Sequence, residues 1–238
     1  MYGKISQHQE MGYDRSVGMF SPDGLLLQVE YAEKAVKLGS SVVGIVYKDG
    51  VVILGDRKIV SKLLVKDSLK KIFEIDNHII LGASGVMSDA RRLIEKSQVI
   101  SQEHNVQYDK EIDLLLLVKE IADIKQYYSQ AGGLRPFGVS FLFGGFENNE
   151  PALYVTTPSG IYMKFLARAI GKNSDKFNEY LEKEYKEGLN LKDAIKLGLK
   201  GFKTILEEDY DIERFDVSYL DKDKGFIRLS TKDLKKYE

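Results

Sequence analysis

The sequence predicts an α+β fold of four layers, an αββα sandwich. Three observations carry this reading. Strands recur as hairpin-linked pairs, which makes them antiparallel and argues against a Rossmann sheet. Helices come in pairs between sets of strands, the order expected when two sheets pack face to face and helices cover both outer faces. No linker-like break or repeat divides the 238 residues, so a single domain over 1–238 is expected.

The elements follow in order. Residues 1–12 have no apolar period and include Gly3 and Gly12; they read as a mobile N-terminal arm. Ser21-Pro22-Asp23-Gly24 is a turn by composition. Leu25, Val29, Ala32 and Val36 then recur at helical spacing, with Gly39 as the stop. This places a leading helix over 24–38. β-branched residues over 41–48, Asp49-Gly50 and the apolar run 51–56 form a hairpin. A second hairpin spans 71–75 and 78–84 about Asp76-Asn77. Helices are expected over 88–103, with Ser88 as N-cap, and over 109–130, closed by Gly132-Gly133. Strands return at 138–146, 152–157 and 161–170. Two helices, 174–186 and 191–207, precede a last hairpin of 216–220 and 226–229. A short charged helix over 232–237 closes the order.

Composition excludes several functions. Lysine and arginine total 35 and acidic residues 36, so 35 − 36 gives a net charge of −1. A globally basic nucleic-acid binder is thereby excluded. There is no cysteine, which removes thiolate nucleophiles, Fe–S clusters, disulfides and cysteine-ligated zinc. His8, His78 and His104 are scattered without metal spacing, so no metal or other cofactor is expected. No apolar run has membrane-spanning length, and residues 1–11 carry no signal-peptide core. A cytoplasmic protein is the expectation. Neither phosphate-binding glycine motif occurs, and Gly82-Ala83-Ser84-Gly85-Val86 fails as a nucleophile elbow at Val86.

One stretch stands apart. Tyr13-Asp14-Arg15, then Phe20-Ser21-Pro22-Asp23-Gly24, then Leu27-Gln28-Val29-Glu30-Tyr31-Ala32 alternate charges and aromatics around a turn that leads into a helix. By physics alone this is a capped surface helix. As a string it closely resembles the N-terminal signature of proteasome alpha-type subunits, above all the archaeal kind. The resemblance covers nearly the whole chain. Gly39-Ser40-Ser41-Val42-Val43-Gly44, Asp56-Arg57-Lys58, Glu74-Ile75-Asp76, Ser84-Gly85 and Asp89-Ala90-Arg91 fall where family elements fall. So do Gly132-Gly133-Leu134-Arg135-Pro136-Phe137-Gly138, Thr157-Pro158-Ser159-Gly160, Ala169-Ile170-Gly171 and Leu181-Glu182-Lys183-Glu184-Tyr185. Leu25 stands where the signature usually has a basic residue, and Lys172 and Asn173 replace small residues.

The resemblance implies the N-terminal-nucleophile hydrolase sandwich, in agreement with the layers read above. It also implies a non-catalytic subunit. Beta-type subunits of that family use an N-terminal threonine whose free amine acts as base. The corresponding residue here is Ser40, preceded by 39 residues, so its nitrogen is an amide. Asp56 and Lys71 stand where the catalytic acid and lysine would stand. An autoprocessed hydrolase with Ser40 as nucleophile is the alternative, and an unrelated α+β binding module is a third reading.

As an alpha-type subunit, the chain would form a seven-membered outer ring with itself, stacked on beta subunits. Unfolded proteins would pass through the ring; neither nucleic acid nor membrane is an expected partner. The arm would gate the axis, held by a cluster that maps to Tyr13, Asp14, Arg15, Pro22 and Tyr31. C-terminal tails of activator ATPases would dock at Lys71, a cation at a solvated rim, with Gly39, Glu30, Gly85 and Val86 around it. Gly132, Gly133 and Leu134 would shape the axial constriction.

Overall fold

The computed structural model describes residues 12, 16–58, 63–65 and 68–237. Helix α1 (Leu27–Leu38) leads into the hairpin β1 (Val42–Tyr47) and β2 (Gly50–Asp56). β3 (Ile72–Asp76) and β4 (Ile79–Gly85) form the second hairpin. Helices α2 (Met87–Tyr108) and α3 (Leu114–Gln130) follow, then β5 (Val139–Glu147), β6 (Glu150–Thr156), β7 (Tyr162–Phe165) and β8 (Ala167–Ile170). Helices α4 (Ser174–Glu184) and α5 (Leu191–Leu206), strands β9 (Phe215–Asp221) and β10 (Gly225–Arg228), and the short α6 (Thr231–Leu234) complete the order.

Two five-stranded sheets result, ordered β10-β9-β2-β1-β8 and β3-β4-β5-β6-β7, and every pairing is antiparallel. Strand alternation sorts the side chains into three apolar layers. On β2, Val51 and Ile53 face the other sheet, while Val52 and Leu54 face outward. The outward residues pack against Phe177, Leu199 and Phe202 of α4 and α5. On the second sheet, Leu81, Phe141 and Phe143 face Leu93, Leu117 and Ile121 of α2 and α3. Val42, Ile72, Ile80, Leu142 and Leu153 fill the space between the sheets. The expected four-layer sandwich is therefore the observed one.

Several boundaries differ from the sequence reading, each for a local reason. The leading helix starts at Leu27, not at residue 24. Leu25 remains exposed before it, its amide donating to Ser21 Oγ at 3.2 Å, and Leu27 takes the buried place. Ser88 is not an N-cap: α2 begins at Met87, with Val86 preceding it. The second helix of that pair starts at Leu114, because Asp113 Oδ1 accepts from the amides of Leu115 and Leu116 at 2.9 and 3.2 Å. Residues 161–170 are two strands, not one. β7 pairs with β6 and β8 pairs with β1, so the chain crosses between sheets at Leu166.

A lysine sits in the core. Lys125 of α3 is fully buried, and its ammonium donates to Val139 O (3.1 Å), Thr156 O (3.4 Å) and Thr156 Oγ1 (2.8 Å). It also lies 4.4 Å from the centre of the Phe141 ring. Burial pushes its amine well below the ordinary lysine range. The folded chain then binds fewer protons here than the unfolded chain, between the lowered value and the ordinary one. Stability must rise with pH across that window. Denaturant unfolding of wild type and Lys125→Met should show the wild type gaining relative to the variant from neutral pH toward alkaline pH. The slope is bounded at about 1.4 kcal/mol per pH unit. Parallel curves would show that Lys125 keeps its proton in the fold.

Candidate functional site

Two clefts flank the open end of the sandwich. The first surrounds the start of β1. Helix α1 ends at Leu38, and Gly39 and Ser40 run straight into the strand. The backbone here is crowded. A Cβ on Gly39 would lie 2.4 Å from Gly85 N, and one on Gly171 would lie 2.3 Å from Ser84 Oγ. Ser84 Oγ donates to Ser40 O at 2.9 Å, and Lys172 N donates to Gly39 O at 2.7 Å. Ser41 Oγ donates to Lys172 O. Ser40 is thus fixed from both sides, and its nitrogen is a peptide amide with no lone pair to take a proton.

Ser40 and Asp56 line one cavity of about 280 Å³, together with Lys58, Lys172, Asn173, Asp209 and Arg214. Asp56 is committed. Arg214 holds it with two bonds, Nε to Oδ1 at 3.0 Å and Nη2 to Oδ2 at 2.7 Å. Lys58 N adds a third at 2.9 Å. A buried carboxylate needs such a partner, and a bidentate guanidinium is the strongest available.

Lys71 lies elsewhere. It packs over Gly55, where an added Cβ would meet Lys71 Cβ at 2.6 Å. Asp216 Oδ2 of β9 accepts from the amides of Lys71 and Ile72 at 2.9 and 3.2 Å, tying the two sheets together. The Lys71 residue is only 9% exposed, so the expected solvated rim is corrected: the stem is buried against the strand and only the head reaches a cleft. Among the described residues, the one hydrogen-bond contact of its ammonium is Met87 Sδ at 3.7 Å. Burial lowers its amine below the ordinary range, and the Asp56 carboxylate offsets some of that. The cleft, about 350 Å³, is lined by Arg57, Lys70, Lys71, Phe73, Met87, Arg91, Ile94 and Glu95 among others. Among the described residues that line it, cations outnumber the one carboxylate, Glu95, so it suits an anion with an apolar neighbour.

The remaining expected site residues divide. Gly85 and Val86 lead directly into Met87, and Gly39 abuts Gly85. Glu30 lies on α1 and is not in the cleft wall. Pro22 occupies a turn closed by Gly24 N donating to Ser21 O at 2.8 Å, with Gly24 at φ +75°. Tyr31 is half-buried on α1, with Lys34 Nζ 5.5 Å from its ring centre. Gly132, Gly133 and Leu134 form the loop after α3. Tyr13, Asp14, Arg15 and the arm up to residue 11 lie outside the described residues. Sequence reasoning missed Arg214 and Met87. Arg214 is 158 residues from its partner Asp56 and has no local signal. Met87 follows Val86 directly and was within reach of the resemblance.

Two packed antiparallel sheets between helix layers, with a serine at the mouth of β1, define a sandwich of the N-terminal-nucleophile hydrolase type. Residues 36–220 match the family described as "Proteasome subunit", and residues 13–35 match the N-terminal signature of its A-type subunits. The chain is 43% identical over 229 residues to the proteasome alpha subunit of Archaeoglobus fulgidus, covering 96% of this chain and 93% of that one. It is 43% identical over 225 residues to that of Methanocaldococcus jannaschii (94% and 86% covered). It is 41% identical over 228 residues to the proteasome alpha 2 subunit of Haloarcula marismortui (95% and 93% covered). The chain belongs to the proteasome subunit family, on its alpha side.

The geometry at Ser40 yields a prediction. With an amide at its nitrogen and Asp56 held by Arg214, Ser40 has no base hydrogen-bonded to it among the described residues. The purified chain should retain residues 1–39 by intact mass and should hydrolyse no peptide. Peptidase activity that vanishes in Ser40→Ala would overturn this.

Proposed function

We propose that this chain is the non-catalytic outer-ring subunit of a proteasome core particle, that it gates substrate access, and that it docks the C-terminal tails of an activator ATPase. The observation that carries the reading is Lys71: a mostly buried ammonium that, among the described residues, makes no hydrogen bond to a carboxylate and feels Asp56 only through space, opening on a cationic cleft. A terminal carboxylate would supply the missing charge, and Phe73, Met87 and Ile94 would contact an apolar side chain beside it. Gly39, Glu30, Gly85 and Val86 belong to the docking neighbourhood that each copy presents. Catalysis is the work of the beta subunits.

Ring formation has surface support as well. Phe20, Leu25 and Leu38 of the leading segment are exposed, Leu38 to 85%. A ring of seven copies would cover such residues. The turn at Pro22, with Tyr13, Asp14, Arg15 and Tyr31, would hold the arm of residues 1–12 at the axis. Gly132, Gly133 and Leu134 would line the passage beneath it. Unfolded protein is the substrate in transit.

Two experiments test these roles in particles assembled with the beta subunits. Deleting residues 2–12 should leave the ring intact and allow an unstructured protein to be degraded without activator. Unchanged degradation by intact particles would refute the gate.

Lys71→Ala should lower the ratio of activator-stimulated to unstimulated degradation. One charge-assisted bond is worth about 1.5–3 kcal/mol, roughly tenfold to a hundredfold in affinity per cleft, and several clefts multiply the loss. A docked carboxylate favours the protonated amine, so tail affinity should also fall as pH rises through the lowered Lys71 range. Equal stimulation in variant and wild type would remove Lys71 from the docking site.

A further inference from the structure

We propose that the Asp89–Arg135 ion pair is a positioning device that fixes the 131–135 loop and, through it, the width of the axial passage. The inference rests on the reading above that this loop lines the passage.

The loop cannot fix itself. Helix α3 ends at Gln130, and β5 begins only at Val139. Within the loop, the one backbone bond among the described residues is Leu134 N to Ala131 O at 3.3 Å. A Cβ added at Gly132 or Gly133 would meet nothing within 4 Å, and Gly133 sits at φ +82°. Such a segment has neither packing nor a ladder to choose its position.

Arg135 supplies what is missing. Its Nη1 and Nη2 each donate to one Asp89 oxygen at 2.7 Å, and Nη1 also reaches Pro136 O at 3.0 Å. Two parallel bonds to a planar fork fix orientation as well as distance. Asp89 is itself immobile. Its side chain is 9% exposed, against 63% for Arg135. It stands in the first turn of α2, where the helix end favours a carboxylate. Its Oδ2 also accepts from Gly138 N at 2.9 Å, while Val86 N donates to Gly138 O at 2.9 Å. Burial would raise the Asp89 carboxyl, but Arg135 and the Gly138 amide outweigh it and hold it below the usual range. Both partners therefore favour the charged form of the anchor.

The pair covers no core. Arg135 lies on the surface, so its contribution is orientation, not burial. The end of α3, from which the loop departs, adjoins the segment between the arm and the Pro22 turn: a Cβ at Gly18 would sit 3.5 Å from Gln130 O. A fixed loop at the passage would define how wide a chain may pass once the arm is withdrawn.

The test uses particles assembled with the beta subunits but lacking residues 2–12, so that the arm does not limit passage. Arg135→Gln and Asp89→Asn are placed in that background; the asparagine retains an acceptor for the Gly138 amide. Two substrates are compared: an unfolded polypeptide entering as one strand, and the same polypeptide cross-linked by a disulfide so that two strands enter abreast. Each variant should raise the two-strand to one-strand degradation ratio several-fold, and the double variant should add nothing further. Amide hydrogen exchange over 131–137 should quicken in both variants, independently of transport.

An unchanged ratio with unchanged exchange overturns the proposal. So does failure of both variants to assemble, which would make the pair structural. If the parent deletion fails to admit even one strand, the gate reading has failed, and exchange alone then decides whether Arg135 tethers the loop.

Discussion

The close approach of the two sheets is the constraint on which the rest of this molecule depends. Glycine stands on the inner face of both sheets, where strand alternation calls for a side chain. A Cβ at Gly44 would lie 2.7 Å from Leu153 Cδ1, one at Gly82 would lie 2.7 Å from Val42 Cγ1, and one at Gly144 would lie 2.8 Å from Val51 Cγ1. The apolar layer between the sheets is therefore built from large side chains seated over bare backbone, and it tolerates no added methyl without repacking. The same rule extends to the mouth of the sandwich. Gly55 leaves the space that the Lys71 stem occupies, and Asp216 fastens the start of β3 to β9 across the gap. Lys71 is aimed by the sheet geometry and not by a flexible loop.

That geometry explains how a hydrolase architecture could serve the docking role proposed above. A buried carboxylate such as Asp56 demands a cation. Were Lys71 that cation, its ammonium would be neutralised inside the sandwich. Arg214 takes the role instead, with better-matched geometry. The ammonium of Lys71 is left facing Met87 and the outer cleft. Helix α1, running directly into Ser40, removes the other requirement of the chemistry, a free amine. The exchange of one charge partner and the presence of one leading helix separate the catalytic residue types into different cavities.

The layers were legible in the sequence because they rest on local patterns. The apolar run of β2 and the Asp49-Gly50 turn mark a buried strand in a hairpin without reference to the rest of the chain. Helix starts were less legible. The side chain of Asp113 outcompetes the helical pattern upstream of it, and Leu25 gives its amide to Ser21 instead of joining α1. The split between β7 and β8 leaves no mark, since both read as extended; only pairing distinguishes them. At the site, the resemblance supplied Ser40, Asp56 and Lys71, but not their relations. Arg214 on Asp56 and Asp216 on Lys71 join residues more than a hundred positions apart, and nothing in a linear spacing encodes such pairs.

The loop between α3 and β5 shows a different use of polar groups from that in the core. Lys125 ties α3 to the ends of β5 and β6 through three acceptors, and Arg135 ties the following loop to α2 through two. Neither is a strong source of stability. A buried amine costs desolvation, and a half-exposed ion pair recovers little. What they share is direction: each bond is satisfied in one geometry, whereas apolar packing accepts many. A segment that must stand free of the core, yet keep a fixed position, cannot be held by burial. Polar tethers at its two ends are the remaining physical means, and here both originate from helices whose apolar faces are locked against the second sheet.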